Sequence, residues 1–269
     1  MSTPPDVVDG VAISVTDDGI ARIAISRPER MNALDGIASA RIVAALREWA
    51  DDDAIRVVVI DGAGGAFCTG ADVVGIASTS LSQPEGLTDE QARDIIGGGT
   101  ELARAVRAVR APVIASVDGP AAGIGASLAV AADLVYATQR SYFLLAFINI
   151  GLMPDGGASM LFAAALGRAR ANEMALLGEK LSATDAFDAG LINRVVDDRA
   201  ELDDLVTTVA GKLAKRSPQA VRLTKSALDA HTLAGLSAAL DRELSGQATL
   251  LLTDEFQAAI AAFAGKSKR

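Results

Sequence analysis

A single carboxylate stands where ionisation is disfavoured. In "INIGLMPDGGASML", residues 148–161, Asp155 lies between Pro154 and the pair Gly156-Gly157, with apolar residues on both sides. Loss of water penalises the charged form, so an aspartate here tends to hold its proton and, once ionised, to be a stronger base. A partner for such a group is available in two glycine-containing loops, "GAGGAFCTGAD" (62–72) and "PAAGIGASLAVAAD" (120–133). Main-chain N–H groups at turns of this kind can converge on an oxygen that becomes negative during a reaction, and losing one such donor typically costs about 3–4 kcal/mol. Glycines that merely shape turns account for the same spacing, and Asp155 has a plain alternative as the N-cap of the following helix.

Composition removes other chemistries. The chain of 269 residues has one cysteine, Cys68, and one histidine, His231, which excludes an intrachain disulfide, a Cys/His zinc cluster and a two-histidine metal site. No metal is expected. A Ser-His-Asp triad would need His231, which sits in "SALDAHTLAGL" on what reads as an ordinary amphipathic helix. Cys68 lacks a basic partner and reads as a small packing residue. The net charge of −9 argues against a nucleic-acid surface. No apolar run approaches membrane-spanning length and the start, "MSTPPDVVDG", lacks signal-peptide character, so a cytoplasmic protein with no membrane partner is expected.

Familiar motifs fail on inspection. "GIGASL" at 123–128 has Leu128 where a dinucleotide fingerprint needs its third glycine. The run Gly125 to Ala129 lacks the closing glycine of a nucleophile elbow, which leaves Ser127 as a packing or hydrogen-bonding residue. "GKS" at 265–267 has no upstream phosphate-loop glycine.

The elements that must position Asp155 and the loops follow from hydrophobic period. "VAISV" and "IARIAIS", joined by "TDDG", predict a β-hairpin whose Asp-Gly supplies positive φ angles. "RVVVIDG" and "PVIASVDG" predict buried strands leading into the two loops, with "LVYAT" and "INRVV" as further strands. Helices are expected in 33–52 and 88–110, in "ASMLFAAALG" ending at Gly167, and in "RARANEMALLG" and "SATDAFDAGL". Residues 75–87, small and polar, predict a mobile surface loop. Strand signals stop near residue 200. An α/β core over 1–199 and a helical C-terminal region over 200–269, available for oligomerisation, are therefore expected.

The ordered set "ISRPERMNAL", "GAFCTGAD", "SVDGPAAGIGASLAVAADLVYAT" and "GLMPDGGASMLFAAALGRARANEMALLG", continued by "LSATDAFDAGLINRVV" and "SPQAVRLTKSAL", resembles the enoyl-CoA hydratase/isomerase, or crotonase, superfamily. The resemblance implies a spiral of strand-strand-helix units with a helical C-terminal region, assembled as a homotrimer or homohexamer. It implies an acyl-CoA substrate, with coenzyme A arriving as part of that substrate and no tightly bound cofactor. By motif, the main-chain N–H groups of Ala71 and Ile124 would hold the thioester oxygen. Ala71, Asp72, Val73 and Val74 would contact coenzyme A, with Arg27, Arg30 and Ala33 near its nucleotide end. Arg27 and Arg30 could equally be solvated charges. Lys225 could reach a coenzyme A phosphate, or be a surface lysine.

The sequence departs from the hydratase pattern where it matters. The positions of the two water-activating glutamates hold Ser127 and Phe147, and neither can take up and release a proton near neutral pH. Asp155 matches the acidic residue of the superfamily's isomerases, with the phenylacetate-pathway type most similar in pattern. One carboxylate suffices to move a proton between carbons of an acyl chain if the enolate is held meanwhile. Phe143, Leu145, Phe147, Leu152, Met153 and Phe162 are expected to form an apolar pocket around it. A dehalogenase or hydrolase using Asp155 as nucleophile, and a non-catalytic acyl-CoA-binding oligomer, are the competing readings.

Overall fold

The computed structural model describes residues 5–73, 75 and 87–266. β1 (Val7–Val8), β2 (Val11–Val15) and β3 (Ile20–Ile25) form an antiparallel edge. Burial alternates along β3 with Ala21, Ile23 and Ile25 inward, as a period of two requires. The β2–β3 turn differs from expectation in one detail. Gly19 alone takes a positive φ (80°), because the loop from Thr16 to Gly19 is four residues long and closes through Gly19 N–H to Thr16 O (2.9 Å).

β4 (Val57–Gly62) and β5 (Val113–Val117) continue the sheet in parallel, followed by β7 (Leu134–Thr138) and β10 (Arg194–Val196), in the order β1-β2-β3-β4-β5-β7-β10. Every residue of β4 is buried, as a parallel strand covered on both faces must be. Val58 and Ile60 face the main core, whereas Val57 and Val59 face Leu202, Val206 and Ala210 across the sheet. A second sheet is made of three short strands: β6 (Pro120–Ala122), β8 (Tyr142–Leu144) and β9 (Lys180–Ser182).

The helices are α1 (Gly36–Trp49), α2 (Asp89–Ala108), α3 (Ile124–Ala131), α4 (Ala158–Leu177), α5 (Ala183–Asp188), α6 (Arg199–Ala214), α7 (Pro218–Thr232), α8 (Leu236–Leu251) and α9 (Asp254–Lys266). α2 opens on a capping box of Thr88 and Gln91. α3 is buried along its whole length between α2 and α4. α4 breaks where the glycine reading placed an end: Gly167 has φ 74° and ψ 162°. α6 lies on the β4–β7 face of the sheet, and α8 lies along α2. Beyond residue 200 the described chain is helices and connecting turns. Among the described residues no helix is long and apolar enough to cross a membrane, and no cluster of His, Cys, Asp or Glu could hold a metal ion.

Candidate active site

The two loops meet because the chain after β4 runs parallel to β6. Cys68 N–H donates to Pro120 O (3.0 Å) and Ala122 N–H to Cys68 O (2.9 Å). A Cβ on Gly125 would stand 2.2 Å from Cys68 O, so this approach requires glycine. Leu34 bridges on the other side, donating to Gly70 O and accepting from Asp72 N–H (both 2.8 Å), which leaves Ala71 N–H outside the ladder. Ile124 is the first residue of α3, where an N–H has no acceptor within the helix. Among the described residues neither N–H has a protein partner. Both residues, with Asp155, line a cavity of about 840 Å³.

Arg27 braces this arrangement. Its guanidinium donates to Ala33 O and pairs with Asp35, the N-cap of α1 (2.8 Å), and Asp72 (3.5 Å). With its side chain 14 % exposed and so engaged, Arg27 holds the Ala71 loop and is not a solvated charge. Asn32, fully buried with φ 58°, accepts from Arg27 N–H and donates to Ala63 O and Ala66 O, pinning the loop from below. Sequence reading missed Asn32, although asparagine is among the residue types that best tolerate a left-handed backbone, here between the turn at Pro28–Arg30 and α1. Arg30 is exposed and half-buried Ala33 lies beside it.

Asp155 is 7 % exposed and its Oδ1 is buried without a hydrogen-bond partner. Burial, with the charge of Glu243 second, pushes its carboxyl up to about 8. Its side chain does not cap α4. The cap position is Gly157, and Glu243 of α8 takes the capping role, accepting from Gly157 N–H (2.6 Å) and Ser159 N–H (2.8 Å). Ser127, fully buried, donates its hydroxyl to the Asp155 carbonyl (2.8 Å) and so anchors the backbone there. The Ile124 side chain is wedged against the same group: a Cβ on Gly156 would stand 2.4 Å, and on Gly99 2.9 Å, from its Cδ1, and the latter 3.3 Å from Asp155 Oδ2. Two missing side chains therefore make room for the apolar one that helps keep water from the carboxylate.

The apolar surroundings are only partly those expected. Phe147 and Leu152 line the cavity, but Phe143, Leu145 and Phe162 are packed in the core and Met153 rests against Gly246. Much of the remaining wall comes from Ile95 and Ile96 of α2, Leu251 of α8, and Phe256 and Ile260 of α9, elements distant in sequence. Asp72 and Val73 also line the cavity, whereas Val74, like residues 76–86 of the expected mobile loop, lies outside the described residues.

Lys225 corrects both of its readings. It donates to Val109 O (2.7 Å) and Ala111 O (3.1 Å) and pairs with Asp133 (2.8 Å), with burial lowering its pKa. Arg107, paired with Asp133 and Asp229, completes an internal ion cluster tying α2, the start of β7 and α7. Cys68 is fully buried and burial pushes its thiol up to about 12, which makes it inert. His231 is exposed on α7 and is not part of the cavity wall.

Known proteins share this architecture. The profile described as enoyl-CoA hydratase/isomerase matches residues 15–269. A 1,2-epoxyphenylacetyl-CoA isomerase of Escherichia coli strain K12 is 33% identical over 254 residues, covering 94% of this chain and 95% of the relative. A Rhodobacter capsulatus protein named probable enoyl-CoA hydratase is 36% identical, with 93% of each chain covered. The crystal structure of an enoyl-CoA hydratase from Mycobacterium avium subsp. paratuberculosis K-10 superposes with a TM-score of 0.86 at 38% identity, covering 97% of both chains. Through its loops, its crotonase fold and this match across nearly its whole length, the chain belongs to the enoyl-CoA hydratase/isomerase family.

Proposed function

We propose that the protein is an enoyl-CoA isomerase. One observation carries this reading: the unpartnered carboxyl of Asp155 shares a cavity with two unengaged main-chain N–H groups. The resemblance adds that Ser127 and Phe147 match the positions where hydratases use glutamates. Ionised Asp155 takes a proton from C2 or C4 of the acyl chain, and the electrons move to the thioester oxygen. Ala71 and Ile124 N–H stabilise that oxyanion, aided by the positive end of α3. The same proton, or its exchanged replacement, returns to the other carbon, so the double bond shifts with no net change in composition. Apolar walls exclude water that would quench the enolate. Coenzyme A stays part of the substrate, along the backbone of Ala71, Asp72, Val73 and Val74, with Arg30 and Ala33 toward its nucleotide; Arg27 acts indirectly by holding the loop. The name of the Escherichia coli relative accords with an isomerase, while the hydratase names among the relatives describe a reaction for which neither Ser127 nor Phe147 supplies a proton carrier.

A homotrimer or pair of trimers fits the same reading. α7 buries none of its residues and leaves Leu223 and Leu228 64% and 63% exposed, an apolar face suited to self-association.

The test is Asp155→Asn with a panel of linear and ring-bearing acyl-CoAs in deuterated water, followed by mass spectrometry. Wild type should exchange C2 protons and shift the double bond. The variant should bind acyl-CoA but turn over slower by a factor on the order of 10² or more. Near-normal turnover in the variant, a hydrated product from wild type, or an ester trapped on Asp155 would each overturn the isomerase reading.

A further inference from the structure

We propose that Glu243 is a positioning residue for the same reaction: a buried anion, held by the head of α4, that adds its charge to the effect of burial and so tunes the pH at which Asp155 works. This rests on Asp155 being the proton-transfer group.

The two carboxyls occupy one buried region with unequal support. Each Glu243 oxygen accepts a main-chain N–H, from Gly157 (2.6 Å) and from Ser159 (2.8 Å), at a helix N-terminus that favours negative charge. Asp155 Oδ1 accepts none. Glu243, although fully buried, therefore loses its proton first, and Asp155 must then ionise beside an existing anion. Burial raises both carboxyls, and the charge of Glu243 raises Asp155 further.

The other charged groups around the cavity are paired or exposed. On α2, Glu101 pairs with Arg47 of α1; in the Ala71 loop, Asp72 shares Arg27 with Asp35. Asp94 of α2 is exposed, as is Arg242, the cation nearest Glu243 in sequence. Among the described residues Glu243 has no ion-pair partner, so its charge is not cancelled locally. One turn further along α8, buried Gln247 donates Nε2 to Met153 O. α8 thus grips the main chain on both sides of Asp155, at Met153, Gly157 and Ser159, and aims the carboxyl as well as setting its charge. Two carboxyls whose surroundings separate their proton affinities give an acid/base group and a fixed charge.

The experiment follows the side-chain carboxyl carbons of Asp155 and Glu243 by ¹³C NMR across pH in the free protein, the two signals identified by their loss in Asp155→Asn and Glu243→Gln. Wild type should show Glu243 titrating well before Asp155. In Glu243→Gln, which keeps an acceptor oxygen but no charge, the Asp155 midpoint should fall by about one pH unit or more. The acidic limb of kcat/KM should move with it while KM for acyl-CoA changes little, and Glu243→Asp should restore most of the shift. An Asp155 midpoint unchanged in Glu243→Gln, or wild-type carboxyls titrating in the opposite order, overturns the proposal. The titration does not depend on turnover, so an inactive protein with the expected midpoints would refute the isomerase reading and leave the coupling standing.

Discussion

Removing the Asp155 charge should stabilise the fold, and increasingly so as pH rises. In the unfolded chain this carboxyl ionises near its ordinary value of 3.8, whereas in the folded protein burial and Glu243 push it up to about 8. Between those values the folded state holds a proton that the unfolded state has released. Stability then falls with pH by about 1.4 kcal/mol per unit for this one group. The contribution is intact below the lower value and lost once pH passes the higher. From 3.8 to pH 7 the loss is on the order of 4 kcal/mol, and it approaches 5 kcal/mol or more above pH 8. Asp155→Asn has no proton to lose. Urea denaturation of wild type and variant at fixed protein concentration, from pH 5 to pH 9, cancels the contribution of every other titrating group. The difference in unfolding free energy should grow with pH in favour of the variant and level off above about pH 8. A difference that stays flat, or grows toward acid, would refute the claim that Asp155 is buried without compensation.

The three consecutive glycines of α2 give a paired prediction. A Cβ at Gly97 meets nothing within 4 Å and Gly97 is not part of the cavity wall, so Gly97→Ala should gain about 1 kcal/mol of helix stability, read as a rise of a few degrees in Tm, with turnover unchanged. Gly99→Ala must displace Ile124 Cδ1 or Asp155 Oδ2, so it should forfeit that gain and lower kcat; equal behaviour of the two variants would show that Gly99 is not needed as a slot for Ile124. Cys68 should resist iodoacetamide in the native protein and react only at the rate of unfolding, and prompt labelling without unfolding would contradict its burial.

The legible parts of the fold were those whose cause is local. β2, β3, β4 and β5 announced themselves by period and β-branched content, and Gly167 marked the break in α4 through its own backbone requirement. The sheet of β6, β8 and β9 was not legible: each strand has three residues, too few for a period, and its pairing is set by where Cys68 places β6. "PAAGIG" accordingly reads as one helix start, although Pro120–Ala122 is strand and the helix begins at Ile124. Asp155 stood out against its apolar neighbours, but what surrounds it came from across the chain. Glu243 carried a signal that could have been used. It falls on the stripe of Leu236, Ala239, Leu240, Gln247 and Leu251, the buried face of α8, where a glutamate needs a partner. The partner is a pair of main-chain donors, which no residue type reveals.

The dependence of Asp155 on α8 also has a consequence for synthesis. A nascent chain emerging from the ribosome can pair the Ala71 loop with the start of α3 long before residues 236–251 exist. Until they arrive, the segment after Pro154 lacks its grip at Gly157 and Ser159, and one wall of the cavity is missing. Half-made copies would thus hold Asp155 without the buried surroundings and the neighbouring Glu243 that raise its carboxyl.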